Sequence, residues 1–443
     1  MKLHRGSVRR VVIALAVGSL LFSRVEAQQQ KIDSLNTERV QQMLRDAYDE
    51  VKKNYYDKSY HGIDWDAKYH EFDEKLKQIT TLGQGFSMVA ALMMTLNDSH
   101  TFFLPPARPV RVEYGFRLQM IGDRAFITRV RPGTDAESKV HPGDEVIAYN
   151  RYTVDRDSLW KMNYYYNRLS PLPGSDLVLK DPAGQQREVK VEAKVKQLKR
   201  VLDLTQGTDL WQLVREAENA DHVVRQRYVE MGEVMIWKMP EFDLNDTEVD
   251  HMFSIARKHN ALVLDLRGNP GGAVETLERM LGSVFDHDVK IADRIGRKEL
   301  KPQMAKTHGK DTFDGKLVVL IDSGSASASE LFARMVQLEK RGTAIGDRSS
   351  GSVMEAKRYG EKEGTDTMIF YSFSVTDADL IMKDGKSLEH VGVVPDEVVL
   401  PTARDLAEGK DPALVRAAEL AGVHLDPAQA GKMFPFEWLP MGE

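Results

Sequence analysis

The densest chemical signal in the sequence is LVVLIDSGSASASELFARMVQ, where an apolar strand runs through a Gly/Ser turn directly into a helix. Such a turn sets a hydroxyl at a helix N-terminus, where free N–H groups and the helix dipole favour developing negative charge. Three hydroxyls compete for that place: Ser325, Ser327 and Ser329. Serines are also good helix caps, so this segment alone leaves a nucleophile and a plain cap both open. A second segment, LVLDLRGNPGGAVE, ends a strand in Arg267-Gly268-Asn269-Pro270-Gly271-Gly272 before another helix. Adjacent glycines let the backbone approach a substrate and aim N–H groups at an oxyanion. A bare strand–helix turn is the alternative. A phosphate-binding loop is disfavoured, because no Lys-Ser/Thr follows and the spacing is not GxGxxG.

The elements that must position these groups fall into three stretches. From Thr37 to Leu96 the apolar spacing is helical, first through Val40, Met43, Leu44, Ala47 and Val51, then through Phe86, Val89, Ala90, Leu92, Met93 and Leu96. The proline-rich LPPARPV closes that stretch. From Val110 to Val195 short strands (RAFITRV, DEVIAYN, DLVLKD, REVKVEA) alternate with Pro/Gly/Asp turns, and DSLWKMNYYYNRL reads as one helix among them. From Val223 strands and helices alternate: VMIW, a helix capped by Asn245 or Asp246 with Glu248 completing a capping box, ALVLDL, Ala273–Phe285, KLVVLI, then Ser327 to Glu339. That alternation predicts an α/β core with crossover connections. A last amphipathic helix is expected near Pro412–Ala421.

The chain has 443 residues, formal charge −6 and no cysteine. Disulfides, a thiol nucleophile and thiolate metal sites are therefore excluded. Its acidic balance and lack of a basic run argue against nucleic acid. No metal or other cofactor is expected: the 12 histidines are scattered and form no metal-binding motif. Basic MKLHRGSVRR, the apolar VVIALAVGSLLF and Val25-Glu26-Ala27 before Gln28 predict a secretory signal peptide over 1–27, with an uncleaved anchor as the alternative. The expected mature protein is exported, periplasmic or extracytoplasmic, with no membrane span after signal cleavage.

RGNPGG followed about fifty residues later by GSASASE resembles the C-terminal processing, or tail-specific, serine protease family and its tricorn-core relatives. SLEHVGVVPDEVVLPT is similar to that family's closing segment, around Gly392 to Asp396, and LNDSHT to a motif of the tricorn-like branch. The β-rich stretch resembles the family's PDZ domain, with Tyr114-Gly115-Phe116-Arg117 in place of its carboxylate-binding loop. The resemblance implies an α/β protease core at 205–403, a PDZ-like domain at 110–197, a helical region at 28–105 and a helical tail at 404–443. It makes Ser327 the nucleophile, with the N–H groups of Ala328 and of Gly271 or Gly272 as oxyanion donors.

The base divides the branches. At the lysine position of the tail-specific branch this chain has Ser352, and Lys357 lies five residues further on. The tricorn-like branch uses Ser, His, Ser and Glu, and here the resemblance points to His100 as base with Ser99 and Glu389; His390 is a rival. A neutral imidazole could take the Ser327 proton near neutral pH, with Ser99 orienting the ring and Glu389 favouring the imidazolium. The expected function is an exported serine peptidase acting through an acyl-enzyme, whose PDZ-like domain takes peptide C-termini as an added strand. A catalytically impaired peptide-binding relative, motivated by Ser352, and an esterase or amidase with the same nucleophile are the alternatives.

Overall fold

The computed structural model describes residues 32–107, 110–197, 227–364 and 368–438. The signal peptide expected at 1–27, and the expected start of the core from 205 to 226, lie outside the described residues.

Three helices open the structure: Ser34–Asn54, Trp65–Leu76 and Leu82–Met94. Each start follows from its cap, Asp33, Asp64 and Thr81, the last in a reciprocal box with Gln84. Their apolar faces bury Val40, Leu44, Ala47, Val51, Val89 and Leu92 in one cluster. The next unit is β-rich. Strands Phe116–Ile121, Arg124–Val130, Glu145–Tyr149, Gly174–Lys180 and Gln186–Glu192 form a sheet in that order, flanked by the helix Arg156–Tyr164. Phe116–Ile121 lies at one edge, with one face of its ladder unpaired within the sheet.

The core sheet has six strands in the order Arg227–Met231, Val234–Lys238, Ala261–Asp265, Lys316–Ile321, Gly342–Gly346 and Glu397–Val398. All neighbours after the first pair run parallel. Every residue of Ala261–Asp265 is buried, as a parallel strand covered on both faces requires. Successive side chains serve opposite layers. Leu262, Leu264, Leu317, Val319 and Ile321 pack with the helices Val274–Gly282 and Ala328–Leu338. Val263, Val318 and Leu320 pack against Ala413, Leu414, Ala417 and Ala418 of Pro412–Ala421.

A second sheet is not anticipated by the strand–helix alternation. The 14-residue strand Ile369–Met382 pairs with Phe102–Leu104, Met354–Glu363 and Val289–Gly296, and Gln303–Ala305 extends it. Phe102–Leu104 begins two residues after His100 and is in register with Ser372–Ser374. The expected helical stretch therefore ends in a strand of this sheet. Phe103, Tyr371, Phe373 and Val375 join the cluster of the opening helices, which fixes those helices to the sheet.

Candidate active site and family

The three serines of the turn are not equivalent. Ser325 Oγ donates to Leu266 O at 2.8 Å and Ser329 Oγ to Asn269 O at 2.9 Å, and both residues are wholly buried. They sew the helix start to the RGNPGG loop. Ser327 lies between them with φ 54° and ψ −117°, a conformation that side chains rarely adopt. Among the described residues its hydroxyl donates to nothing. A strained serine with an uncommitted hydroxyl proton, between two tethered ones, has the features of a nucleophile elbow.

The glycine loop packs against this turn. A Cβ on Gly271 (φ 98°) would lie 2.7 Å from Ser327 Cβ and 2.9 Å from Ala328 N, so only glycine fits. Asn269, fully buried, donates to Met239 O at 2.9 Å and accepts the Gly271 N–H at 2.8 Å. The Gly271 N–H, favoured by the sequence reading as an oxyanion donor, is thus already engaged. Among the described residues the Gly272 and Ala328 N–H groups donate to nothing. Ser327 N–H turns away, to Ser352 O at 2.8 Å and Glu330 Oε2 at 3.0 Å.

Across the second sheet, Ser99, His100 and Glu389 come together. Glu389 Oε1 accepts the Ser99 N–H at 2.8 Å; its Oε2 accepts the Ser99 hydroxyl at 2.8 Å and the Val353 N–H at 2.8 Å. Ser99 Oγ also meets His100 Nδ1 at 2.8 Å. With the hydroxyl proton committed to a carboxylate, Nδ1 must carry the ring proton, and the basic lone pair is on Nε2. Burial holds His100 below its ordinary value near 6.5, against the opposite pull of Asp98, so the ring is neutral at pH 7. Burial pushes Glu389 up, opposed by its three donors. Asp98 Oδ1 fixes the segment by accepting from His100 N, Thr101 N and Thr376 Oγ1 at 2.7–3.0 Å. No hydrogen bond joins Ser327 to His100 in this structure.

The rival bases are occupied. His390 donates from Nε2 to Asn97 O at 2.8 Å and is half-exposed. Lys357 is on Met354–Glu363, its amine paired with Asp377 at 2.5 Å and raised above its usual range by that partner. We therefore expect Lys357→Met to leave kcat/KM for peptide hydrolysis within about threefold. A loss beyond about a hundredfold would return the lysine to the site.

Two residues of the site were missed from sequence. Glu330, three after Ser327, is fully buried. Its Oε1 accepts from Ser349 Oγ (2.6 Å) and Gly351 N (2.7 Å), its Oε2 from Ser327 N and Ser352 N (3.0 Å each). It clamps the serine turn to the 349–352 turn, and Gly351 O in turn receives His390 N–H at 2.8 Å. Burial pushes its carboxyl up to about 7, against these donors. A folded value above the unfolded one means stability is greatest below about pH 4.5 and is lost as pH rises through 7. Denaturant titrations should show a fall of order 3 kcal/mol across that window, at ~1.36 kcal/mol per unit, and its disappearance in Glu330→Gln. Identical pH slopes in both proteins would refute the assignment.

The other is Arg267, whose guanidinium binds Asp265 and Asp411 in paired contacts of 2.8–3.0 Å. Burial is outweighed by these carboxylates, which keep it charged, while Arg267 and Lys238 hold Asp265 well below the usual range. The pattern D-x-R at the end of an apolar strand was the available signal, since a buried charge needs a partner.

In the β-rich unit, Tyr114 OH donates to Tyr166 O at 3.3 Å and accepts Leu172 N–H at 3.0 Å. Gly115 has φ 76°, with Thr134 Oγ1 2.3 Å from where a Cβ would be. Phe116 packs beside the domain core, and Arg117 faces Phe436 and Trp438. The unit touches the core near the serine turn through Ser323 Oγ to Met120 O, 2.6 Å, and Arg156 to Asp347, 2.7 Å.

A parallel sheet carrying a serine at a strand–helix elbow, beside unengaged N–H donors, is an arrangement suited to acyl-transfer chemistry. Residues 231–399 match the model of peptidase family S41, and 37–88 that of the tricorn protease C1 domain. The core segment is thus similar to peptidase family S41, a family of serine-type peptidases.

The tail-specific protease of Haemophilus influenzae is 28% identical over 275 residues, 57% of this chain and 36% of that protein. This chain therefore spans little more than a third of that relative. The C-terminal processing peptidase of Tetradesmus obliquus is 26% identical over 396 residues, covering 82% and 78%. Among solved structures, mature CPAF matches with a TM-score of 0.63 at 15% identity, over 84% of this chain and 95% of that one. The photosystem II D1 C-terminal processing protease gives 0.52 at 18% identity, over 91% and 100%. These two establish the shared fold. Among the described residues no helix is long and apolar enough to cross a membrane.

Proposed function

We propose that the chain is an exported C-terminal processing peptidase, acting in the periplasm or another extracytoplasmic space, that cleaves peptide bonds through an acyl-enzyme on Ser327. His100 Nε2 takes the hydroxyl proton as Ser327 Oγ attacks the scissile carbonyl. The proton then goes to the leaving amine, and water repeats the cycle to free the acid. Ala328 and Gly272 N–H groups receive the oxyanion, with Gly271 held by Asn269 as the rigid backing of the hole. Ser99 keeps the ring in the Nε2-basic tautomer, and Glu389 favours the imidazolium. The observation that carries this reading is the Glu389–Ser99–His100 chain of 2.8 Å contacts, next to a strand stitched to the second sheet. Substrate closure brings Ser327 and His100 into hydrogen-bond reach, since such contacts are often loose in resting enzymes.

The β-rich unit serves as the PDZ-like module. Tyr114, Gly115, Phe116 and Arg117 form the loop that takes a chain-terminal carboxylate, and the exposed edge Phe116–Ile121 takes the peptide as a strand. A fluorophosphonate probe should modify the wild-type protein at one residue, mapped to Ser327. A matched panel should show hydrolysis of peptides, more so with free than with amidated C-termini. Turnover of esters but of no peptide would overturn the peptidase reading, and lack of labelling the enzymatic one.

A further inference from the structure

After the last helix, Pro427–Met433, the chain runs as Phe434-Pro435-Phe436-Glu437-Trp438 across three guanidinium groups. Arg227, on the edge strand of the core sheet, stacks on Phe434 at 6.0 Å and donates to Pro435 O at 2.6 Å, with Glu437 at 4.0 Å. Arg117 then faces both Phe436 (6.0 Å) and Trp438 (5.7 Å), and Arg131 faces Trp438 at 5.7 Å. The two rings meet edge to face at 5.0 Å. Arg117 and Arg131 belong to the β-rich unit: Arg117 ends the Tyr114–Arg117 loop, and Arg131 flanks it, its N–H donating to Gly115 O at 2.8 Å. The segment straps the core to the mouth of that loop.

We propose that Arg117 and Arg131 form a docking site for peptide segments with two aromatic residues separated by one position, and that Phe436 and Trp438 of the same chain fill it. Guanidinium planes are weakly hydrated and stack readily on indole and phenyl faces. Phe436 is 44% exposed, so the contact is a surface one that can open without disturbing the core. Tethering raises the local concentration of the segment to about the millimolar range, which fills even a weak site. A peptide arriving from outside must displace the strap, and displacing it clears the approach to the loop. The inference rests on the peptide-binding reading of the β-rich unit for its location, not for its chemistry, because no carboxylate terminus is involved.

The test uses the full chain and a fluorescent copy of residues 434–438, acetylated and amidated so that it has no free carboxylate. Phe436→Ala/Trp438→Ala should bind this peptide about tenfold or more tighter than wild type does. Adding Arg117→Ala/Arg131→Lys, which keeps the charge that pairs with Glu113 at 2.5 Å but removes the guanidinium plane, should abolish that binding while the unfolding midpoint stays that of the tail variant. In the wild type, excess unlabelled peptide with phenylalanine in place of its tryptophan should shift the protein's tryptophan emission, and Trp438→Phe in the protein should remove the shift. Equal binding by wild type and tail variant, no binding by either, or binding that survives loss of both arginines would overturn the proposal. A non-aromatic peptide with a free apolar C-terminus separates the two readings. If it binds and the capped copy does not, the PDZ-like reading stands and the aromatic site falls; the converse result leaves the aromatic site without carboxylate capture.

Discussion

Ser327→Ala should lower kcat/KM for peptide hydrolysis by roughly a millionfold, the scale of losing the nucleophile in an acyl-transfer enzyme. The fold should survive. The Ser327 hydroxyl donates to nothing among the described residues, and alanine inherits the same backbone. Unfolding midpoints should agree to within about 0.5 kcal/mol of stability, as for other substitutions that remove no packing. Ser325→Ala and Ser329→Ala are the informative contrasts. Each removes a buried hydroxyl that ties the turn to Leu266 O or Asn269 O, so each should cost about 1–3 kcal/mol through the carbonyl left behind. Neither should remove fluorophosphonate labelling. If Ser325→Ala or Ser329→Ala abolished labelling in a folded protein and Ser327→Ala did not, the nucleophile would be misassigned.

Replacement of His100 by alanine should cost at least about 10⁴-fold in kcat/KM, the upper range for a general base. The loss should be partly restored by added imidazole, a response that a packing defect cannot give. His100→Gln keeps most of the volume and separates packing from proton transfer: it should retain the unfolding midpoint while remaining inactive. Because burial holds the ring below its ordinary value, the acidic limb of kcat/KM should fall below pH 6.5. Glu389 faces the same relay through Ser99, so the limb belongs to the coupled pair rather than to either group alone.

The parts of this arrangement that were legible in the sequence are those whose signals are local. The caps Asn245/Glu248 and Asp411/Pro412 are each written within four residues, and the helices begin where those residues place them. Two-face burial of ALVLD and KLVVLI follows from their unbroken apolar runs. The second sheet was not legible by the same means. In FYSFSVT, Ser372, Ser374 and Thr376 are buried alternately with Tyr371, Phe373 and Val375, so polarity gives no inward or outward face. What makes Thr376 fit is its bond to Asp98, 278 residues away.

Motif order placed Ser99, His100 and Glu389 near one another in expectation, yet only the pairing of Phe102–Leu104 with Ser372–Ser374 shows how the ring reaches the core. Glu330 escaped notice for a physical reason. As the third residue of a helix it has the profile of an ordinary capping carboxylate, and its burial depends on the turn at Ser349–Ser352 folding over it. Likewise the choice between Gly271 and Gly272 turns on one side-chain amide, Asn269 Oδ1, which spacing cannot report.

The proposed catalysis turns on the imidazole as the group that deprotonates Ser327. Single-turnover acylation, followed by stopped flow with a chromogenic acyl substrate from pH 5 to 9, measures that step apart from product release. Wild type should show a rate that rises with one apparent ionisation below pH 6.5 and then stays level, and His100→Ala should acylate at least about 10⁴-fold more slowly with that ionisation gone. Acylation by His100→Ala at the wild-type rate, with the same pH dependence, would contradict it.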